Sequence, residues 1–135
     1  MDEKSLVNSN ARGFAGLIKS IMEPLNENPE FKEKYKNLDR KFLINASNLN
    51  HAALITVNQG VLKVESVPNK PDSNLKKKTI GWDGYISMDS QIFLALAMNR
   101  ISIIGIGMKW LLRKVKMGGI LKLLSLLSIF EFLKK

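Results

Sequence analysis

The spacing of apolar residues changes character three times along the chain. Phe14, Leu17, Ile18, Ile21, Met22 and Leu25 recur at i, i+3, i+4, i+7, i+8 and i+11. That is the spacing of one helix face. Pro24 and Pro29 set breaks near Glu23 and Asn28. Asn28 followed by Pro29 reads as an N-cap and first helical position, opening a short helix over residues 29–37 with Phe31 and Tyr35 on its buried face.

Period two follows. Residues 41–46, 52–57 and 61–67 read as strands, joined by a turn at 47–50 and by a hairpin turn at Asn58-Gln59-Gly60. A polar loop, residues 68–78, ends in Lys76-Lys77-Lys78. Residues 79–88 read as a fourth strand. Alternation puts Ile80, Trp82, Ile86 and Met88 on one side of it and Asp83, Tyr85 and Ser87 on the other. Four short strands in succession predict an antiparallel meander.

Helical spacing then returns. Asp89 is placed to cap a helix over 90–99, with Phe93, Leu96 and Ala97 on one face. Residues 101–112 are less regular. Ser102 could cap a helix, but Gly105 and Gly107 would each cost about 1 kcal/mol inside one. Residues 113–117 read as a short fifth strand, and Gly118-Gly119 as a hinge before a final helix.

That final helix is the unusual one. Between 120 and 133 its polar residues are Lys122, Ser125, Ser128 and Glu131, one every third position. A helix turns every 3.6 residues, so this stripe spirals and leaves no wide polar face. Leucine, isoleucine and phenylalanine point nearly all round. Each gains about 1.5–3 kcal/mol when removed from water. Protein, a partner or lipid must cover such a helix.

Charge sharpens the point. The 135 residues carry a net charge of +9. Residues 1–38 are neutral, 39–108 carry +3, and 109–135 carry +6. The basic excess therefore sits beside the most apolar segment. That pairing suits an anionic membrane surface, where each basic residue contributes roughly 1 kcal/mol, or an acidic ligand head. A nucleic-acid partner is not expected, because aromatic content is 7% and no binding motif is present. With no cysteine and a single histidine, His51, neither disulfides nor a transition-metal site is expected. No phosphate-binding glycine loop, nucleophile elbow or carboxylate pair appears, so no catalytic residue is assigned and no enzyme is expected. The opening MDEKSLVNSN has no apolar core, and no run reaches the length of a membrane span. A cytoplasmic protein is the expectation.

The order of elements, with particular residues in it, resembles the sterol carrier protein-2 family of non-specific lipid-transfer proteins. Ile86-Ser87-Met88-Asp89-Ser90-Gln91-Ile92-Phe93-Leu94-Ala95-Leu96 is similar to the family's last meander strand running into an Asp-capped helix. Asn99-Arg100-Ile101-Ser102 stands where the family has a Gly-Lys-hydrophobic turn, and Lys114-Val115-Lys116-Met117-Gly118 resembles its basic strand before a glycine. Leu112 or Arg113 replaces the glycine that opens that strand in the family, and Gly119 takes the place of an acidic or amide residue.

The resemblance implies an α+β fold: an antiparallel four- to five-stranded sheet with helices on one face and an apolar C-terminal helix. It implies a flexible stretch over 1–11 and one lipid-binding domain over 12–135. It also implies a hydrophobic tunnel between sheet and helices. Its wall would come from Phe93, Leu96, Ala97, Ile101, Ile104, Met108, Leu111, Met117, Leu123, Leu124, Leu127 and Phe130. Read as residues alone, the same side chains suit an ordinary core equally well. Lys109, Arg113, Lys114 and Lys116 would hold an anionic head or touch a membrane, though a charge run more often just faces water. The expected ligand is an acyl chain, sterol or phospholipid, bound without a cofactor by a monomer. The alternative is a membrane-surface or partner-docking module that uses the apolar C-terminal helix and the basic cluster, with peripheral contact to an anionic membrane.

Overall fold

The computed structural model describes residues 13–92 and 116–132. Its centre is a five-stranded sheet: β1 (Asp39–Ala46), β2 (His51–Asn58), β3 (Val61–Pro68), β4 (Gly84–Met88) and β5 (Lys116–Gly118), in the order β3-β2-β1-β4-β5. Four described helices accompany it: α1 (Gly13–Met22), α2 (Pro29–Lys34), α3 (Lys77–Ile80) and α4 (Ile120–Phe132). Two 3₁₀ segments, Glu23–Glu27 and Asp72–Leu75, complete the list.

The local expectations hold where side chains can enforce them. Pro24 ends α1 by turning the chain into the 3₁₀ segment. Asn28 caps α2, its Oδ1 accepting from Glu30 N–H at 2.9 Å and Phe31 N–H at 3.1 Å. Such a cap contributes about 1 kcal/mol. Gln59 and Gly60 form the two-residue β2–β3 turn, both at positive φ (53° and 83°), as a primed turn requires. Asp89 Oδ1 accepts from Gln91 N–H at 2.7 Å and opens a helical turn at 90–92.

The four-strand meander holds only through β1, β2 and β3, which pair antiparallel in succession. β4 lies beside β1 and parallel to it, with Phe42 opposite Gly84 and Ala46 opposite Met88, so the sheet is mixed. Two physical reasons stand out. The link over residues 69–83 is far longer than a hairpin loop, and parallel neighbours need a crossover of about a dozen residues or more. The outer edge of β3 is also already taken. Asn26 donates its Nδ2 to Leu62 O at 2.8 Å and accepts from Leu62 N–H at 2.7 Å, and Glu23 accepts from Val64 N–H at 3.0 Å. The 3₁₀ segment thereby stands in for a neighbouring strand and closes an edge that would otherwise invite pairing.

The fourth strand is also shorter than its alternation suggests. Residues 77–80 are helical, and Gly81 ends that turn in the left-handed region (φ 78°). Trp82 therefore does not share a face with Ile86 and Met88. It stacks on Tyr85, with centroids 5.4 Å apart, and donates its indole N–H to Leu75 O at 2.8 Å.

The sheet buries both faces. On the near face, Phe42, Ile44, Ala53, Ile55, Val64 and Met88 pack against α1, α2 and α4. On the far face, Leu43, Ala52, Leu54 and Val67 pack under the crossover link, through Leu75, Ile80 and Trp82. Residues 42–46 and 52–55 are consequently buried without a break, the pattern of strands covered on two sides.

Candidate functional site

Two features stand out: the seating of α4 on the near face, and a polar cavity on the far face.

α4 presses Leu123, Leu126, Ile129, Phe130 and Phe132 into the core. Phe132 meets Phe31 edge-on at 5.7 Å and Tyr35 at 6.0 Å. Two of the polar residues that spiral round this helix find partners as they pass the protein. Ser128 Oγ shares a hydrogen bond with Tyr35 Oη at 2.5 Å, and Lys122 Nζ lies 3.7 Å from Asp83. The spiral carries apolar residues outward as well: Leu121 is 82% exposed and Leu124 59%.

The double glycine before α4 is a close-packing point rather than a free hinge. A Cβ on Gly118 would lie 2.8 Å from the Trp82 ring. Gly119 has φ +62°, and a Cβ there would lie 2.1 Å from Asp83 O. Asp83 is itself held, donating its N–H to Lys41 O at 2.7 Å and accepting from Lys41 N–H at 2.8 Å. The start of α4 is thus pinned to the sheet. Gly84 serves the same approach, since a Cβ there would meet Leu123 at 2.8 Å.

The far-face cavity measures about 420 Å³. Strand register builds it. Asn45 in β1 lies opposite Ser87 in β4, and Ser87 lies opposite Lys116 in β5, so one row of the sheet is polar across three strands. The next row on that face, Leu54, Leu43 and Tyr85, is largely apolar. Asn45 Nδ2 donates to Ser87 Oγ at 3.0 Å. Asn69, from the crossover link, donates its Nδ2 to Asn45 Oδ1 at 2.8 Å and to Leu49 O at 3.0 Å. All three are buried, Asn45 at 8%, Ser87 at 7% and Asn69 at 5% exposure. Among the described residues Asn69 Oδ1 accepts no hydrogen bond. Lys70, Lys76, Lys116 and Asp72 line the cavity around this floor.

The anticipated site residues divide accordingly. Leu123 and Phe130 are buried on the near face, and Met117 is half-buried against them. Leu124 points to solvent. Lys116 is exposed and faces the far side, the opposite surface of the sheet from those apolar residues. Phe93, Leu96, Ala97, Ile101, Ile104, Met108, Leu111, Lys109, Arg113 and Lys114 lie outside the described residues, as does the side chain of Leu127. The polar floor was not anticipated. Its signal in the sequence is Asn45, a lone amide in an otherwise apolar stretch of strand. Among the described residues no group of three or more His, Asp or Glu side chains could hold a metal ion, and no helix is long and apolar enough to cross a membrane.

No protein-family model matches the chain, and no curated protein matches it in sequence. Solved structures do. The ubiquinone synthesis protein UbiJ-SCP2 superposes with a TM-score of 0.59 at 10% identity, over 89% of this chain and 90% of that one. A conserved hypothetical protein of Thermus thermophilus, described as a candidate sterol carrier protein, gives 0.55 at 12% identity, over 91% and 87%. The fold is sterol carrier protein-2-like. The same fold matches part of a stereoselective inverting sec-alkylsulfatase from Pseudomonas, with a TM-score of 0.53 at 17% identity. This chain covers 14% of that enzyme's length.

Proposed function

We propose that this protein binds a hydrophobic lipid in a tunnel between sheet and helices, and carries it or presents it to another protein. Fatty acids, fatty acyl-coenzyme A, sterols and isoprenoids form the ligand class. The observation that carries this reading is the near-full-length likeness to two sterol-carrier-like proteins. The near face supports it: an apolar sheet surface is closed by a terminal helix that is itself mostly leucine and phenylalanine. Met117, Leu123 and Phe130 contribute to the tunnel from the described part of the chain, and Phe93, Leu96, Ile104 and Met108 from the segment between β4 and β5. The protein does no chemistry on its ligand in this reading. Presentation draws support from two neighbours' names. One is a ubiquinone synthesis protein, and ubiquinone bears an isoprenoid chain; the other is an enzyme for alkyl substrates that carries this fold as a small part of its length.

Native mass spectrometry of the protein as purified from cells, followed by solvent extraction, tests this directly. A stoichiometric lipid adduct is expected. A clean apo mass that persists after incubation with fatty acid, acyl-coenzyme A and sterol overturns it.

A second reading rests on Leu121 and Leu124. Two exposed leucines one turn apart, with exposed Lys122 between them, suit an interfacial contact with an anionic bilayer. Sedimentation with vesicles containing phosphatidylserine checks it. Leu121→Asp with Leu124→Asp is expected to release the protein while leaving its lipid adduct in place. Equal sedimentation of the variant and the parent chain removes this reading.

A further inference from the structure

The far-face cavity is not needed to carry a lipid on the near face, yet it is built at some cost. Placing uncharged polar side chains in the middle of a sheet is unfavourable unless they are hydrogen-bonded. Leucine would fill the Asn45 and Ser87 positions more cheaply, as Leu43 does one row away. Instead Asn69, Asn45 and Ser87 are linked in series, at 2.8 Å and 3.0 Å. The chain of bonds has a direction. Asn69 donates to Asn45, and Asn45 donates to Ser87 Oγ, so the Ser87 hydroxyl keeps its hydrogen for a further acceptor. No acceptor for it is found among the described residues. Ser87 is more than nine-tenths buried and lines the cavity.

The rim is cationic. Lys70, Lys76 and Lys116 surround the cavity against a single carboxylate, Asp72, a balance of +2. Lys70 Nζ rests on the neutral Asn50 Oδ1 at 3.2 Å. Among the described residues none of the three lysines is in a salt bridge. A buried hydroxyl donor in a cavity lined by three lysines matches a compact dianion. Lysine serves such a ligand as a point charge. A volume of about 420 Å³ is that of a small-molecule site.

We infer that this cavity binds a phosphomonoester, with Lys70, Lys76 and Lys116 holding its charge and the Ser87 hydroxyl donating to one of its oxygens. The phosphate can belong to a soluble metabolite or to a lipid headgroup. The inference is independent of a lipid on the near face, and the native mass measurement reads that separately.

The test is a titration of the ¹⁵N-labelled full chain, at constant ionic strength, with inorganic phosphate, glycerol 3-phosphate and short-chain phosphatidic acid. Saturable amide shifts at Asn45, Ser87 and Lys116 are expected. The double change Lys76→Gln with Lys116→Gln is expected to weaken binding about tenfold or more, since each bond to a charged group contributes about 1.5–3 kcal/mol. Both lysines are exposed, so the fold should persist, and an unchanged Tm verifies this. Ser87→Ala is the second variant and should weaken binding with the lysines intact. Equal affinity for glycerol 3-phosphate and phosphatidic acid supports the inference with a soluble ligand. Much tighter binding of phosphatidic acid, still sensitive to the lysine pair, supports it with a headgroup. Shifts that never saturate, or that spread evenly over exposed lysines, overturn it. So does an affinity unchanged in both variants.

Discussion

The two faces of the sheet differ although the same strands build both. On the near face every inward position of β1, from Phe42 to Ala46, is apolar, and helices cover it. On the far face Leu43 is apolar and Asn45, two residues on, begins a polar row that runs through Ser87 to Lys116. Strand register spreads that single step of β1 across three strands. The near face is organised by burial, which is non-directional and tolerant of detail. The far face is organised by hydrogen bonds, which are directional and penalise a missing partner. The two should therefore respond differently to small changes, and mutations can measure the difference.

The largest effect belongs to the near face. Leu126, on the inward face of α4, is 1% exposed. Leu126→Ala is expected to lose about 2–5 kcal/mol, read as a lowered urea midpoint. A loss under about 1 kcal/mol would mean that α4 is only loosely docked, and the two faces would then not differ as argued.

Gly119→Ala comes next, because it acts where α4 is pinned. The new Cβ would lie 2.1 Å from Asp83 O, in a backbone region that L-residues rarely occupy. The conformation alone costs about 1–3 kcal/mol, and the clash with a held carbonyl adds to it. A stable Gly119→Ala protein with an unshifted unfolding midpoint would restore the hinge reading of this dipeptide.

The third effect is at the edge where the two faces meet. Asn26→Ala strips β3 of its stand-in neighbour at Leu62. A loss of about 1–3 kcal/mol is expected, since a part-buried N–H and C=O lose their partner. Concentration-dependent self-association should accompany it, because an open edge pairs with other chains. Analytical ultracentrifugation reads that second outcome, and a strictly unchanged monomer fraction would assign edge protection to another residue.

These residues also show what the sequence made legible. Helix caps, the Gln59-Gly60 turn and the strand positions are local matters, decided by Asn28, Gly60, Asp89 and alternation, and they could be read directly. The resemblance carried the α+β fold class, and hairpin-length links carried the antiparallel β1–β2 and β2–β3 pairings, but neither carried the place of β4. Which strand lies beside which is not local. The place of β4 depends on Asn26 and Glu23 occupying the β3 edge, a contact between residues some forty positions apart. The far-face row was hidden for the same reason: Asn45, Ser87 and Lys116 are neighbours only through register. Alternation alone carried Trp82 onto the wrong face, because it assumed a strand where Gly81 ends a helical turn. The Lys76-Lys77-Lys78 run reads as a solubilising loop until its first residue is seen on the rim of a cavity.

The smallest effect is also the most discriminating. Ser128→Ala removes one side-chain hydrogen bond, to Tyr35 on the near face, and Asn45→Ala removes two within the far-face row. Each should cost about 1 kcal/mol, with Asn45→Ala the larger because Asn69 also loses an acceptor. The stability data alone would barely separate them. Binding should, because of the two residues only Asn45 lines the cavity. Asn45→Ala removes the bond that orients the Ser87 hydroxyl, so the phosphate-induced shifts at Ser87 should shrink. Ser128→Ala should leave those shifts intact and instead loosen the contact between α4 and α2, seen as faster amide exchange near Phe132. If Asn45→Ala leaves the phosphate shifts unchanged, the polar row is a packing solution and nothing more, and the far face differs from the near face only in the bonds that hold it.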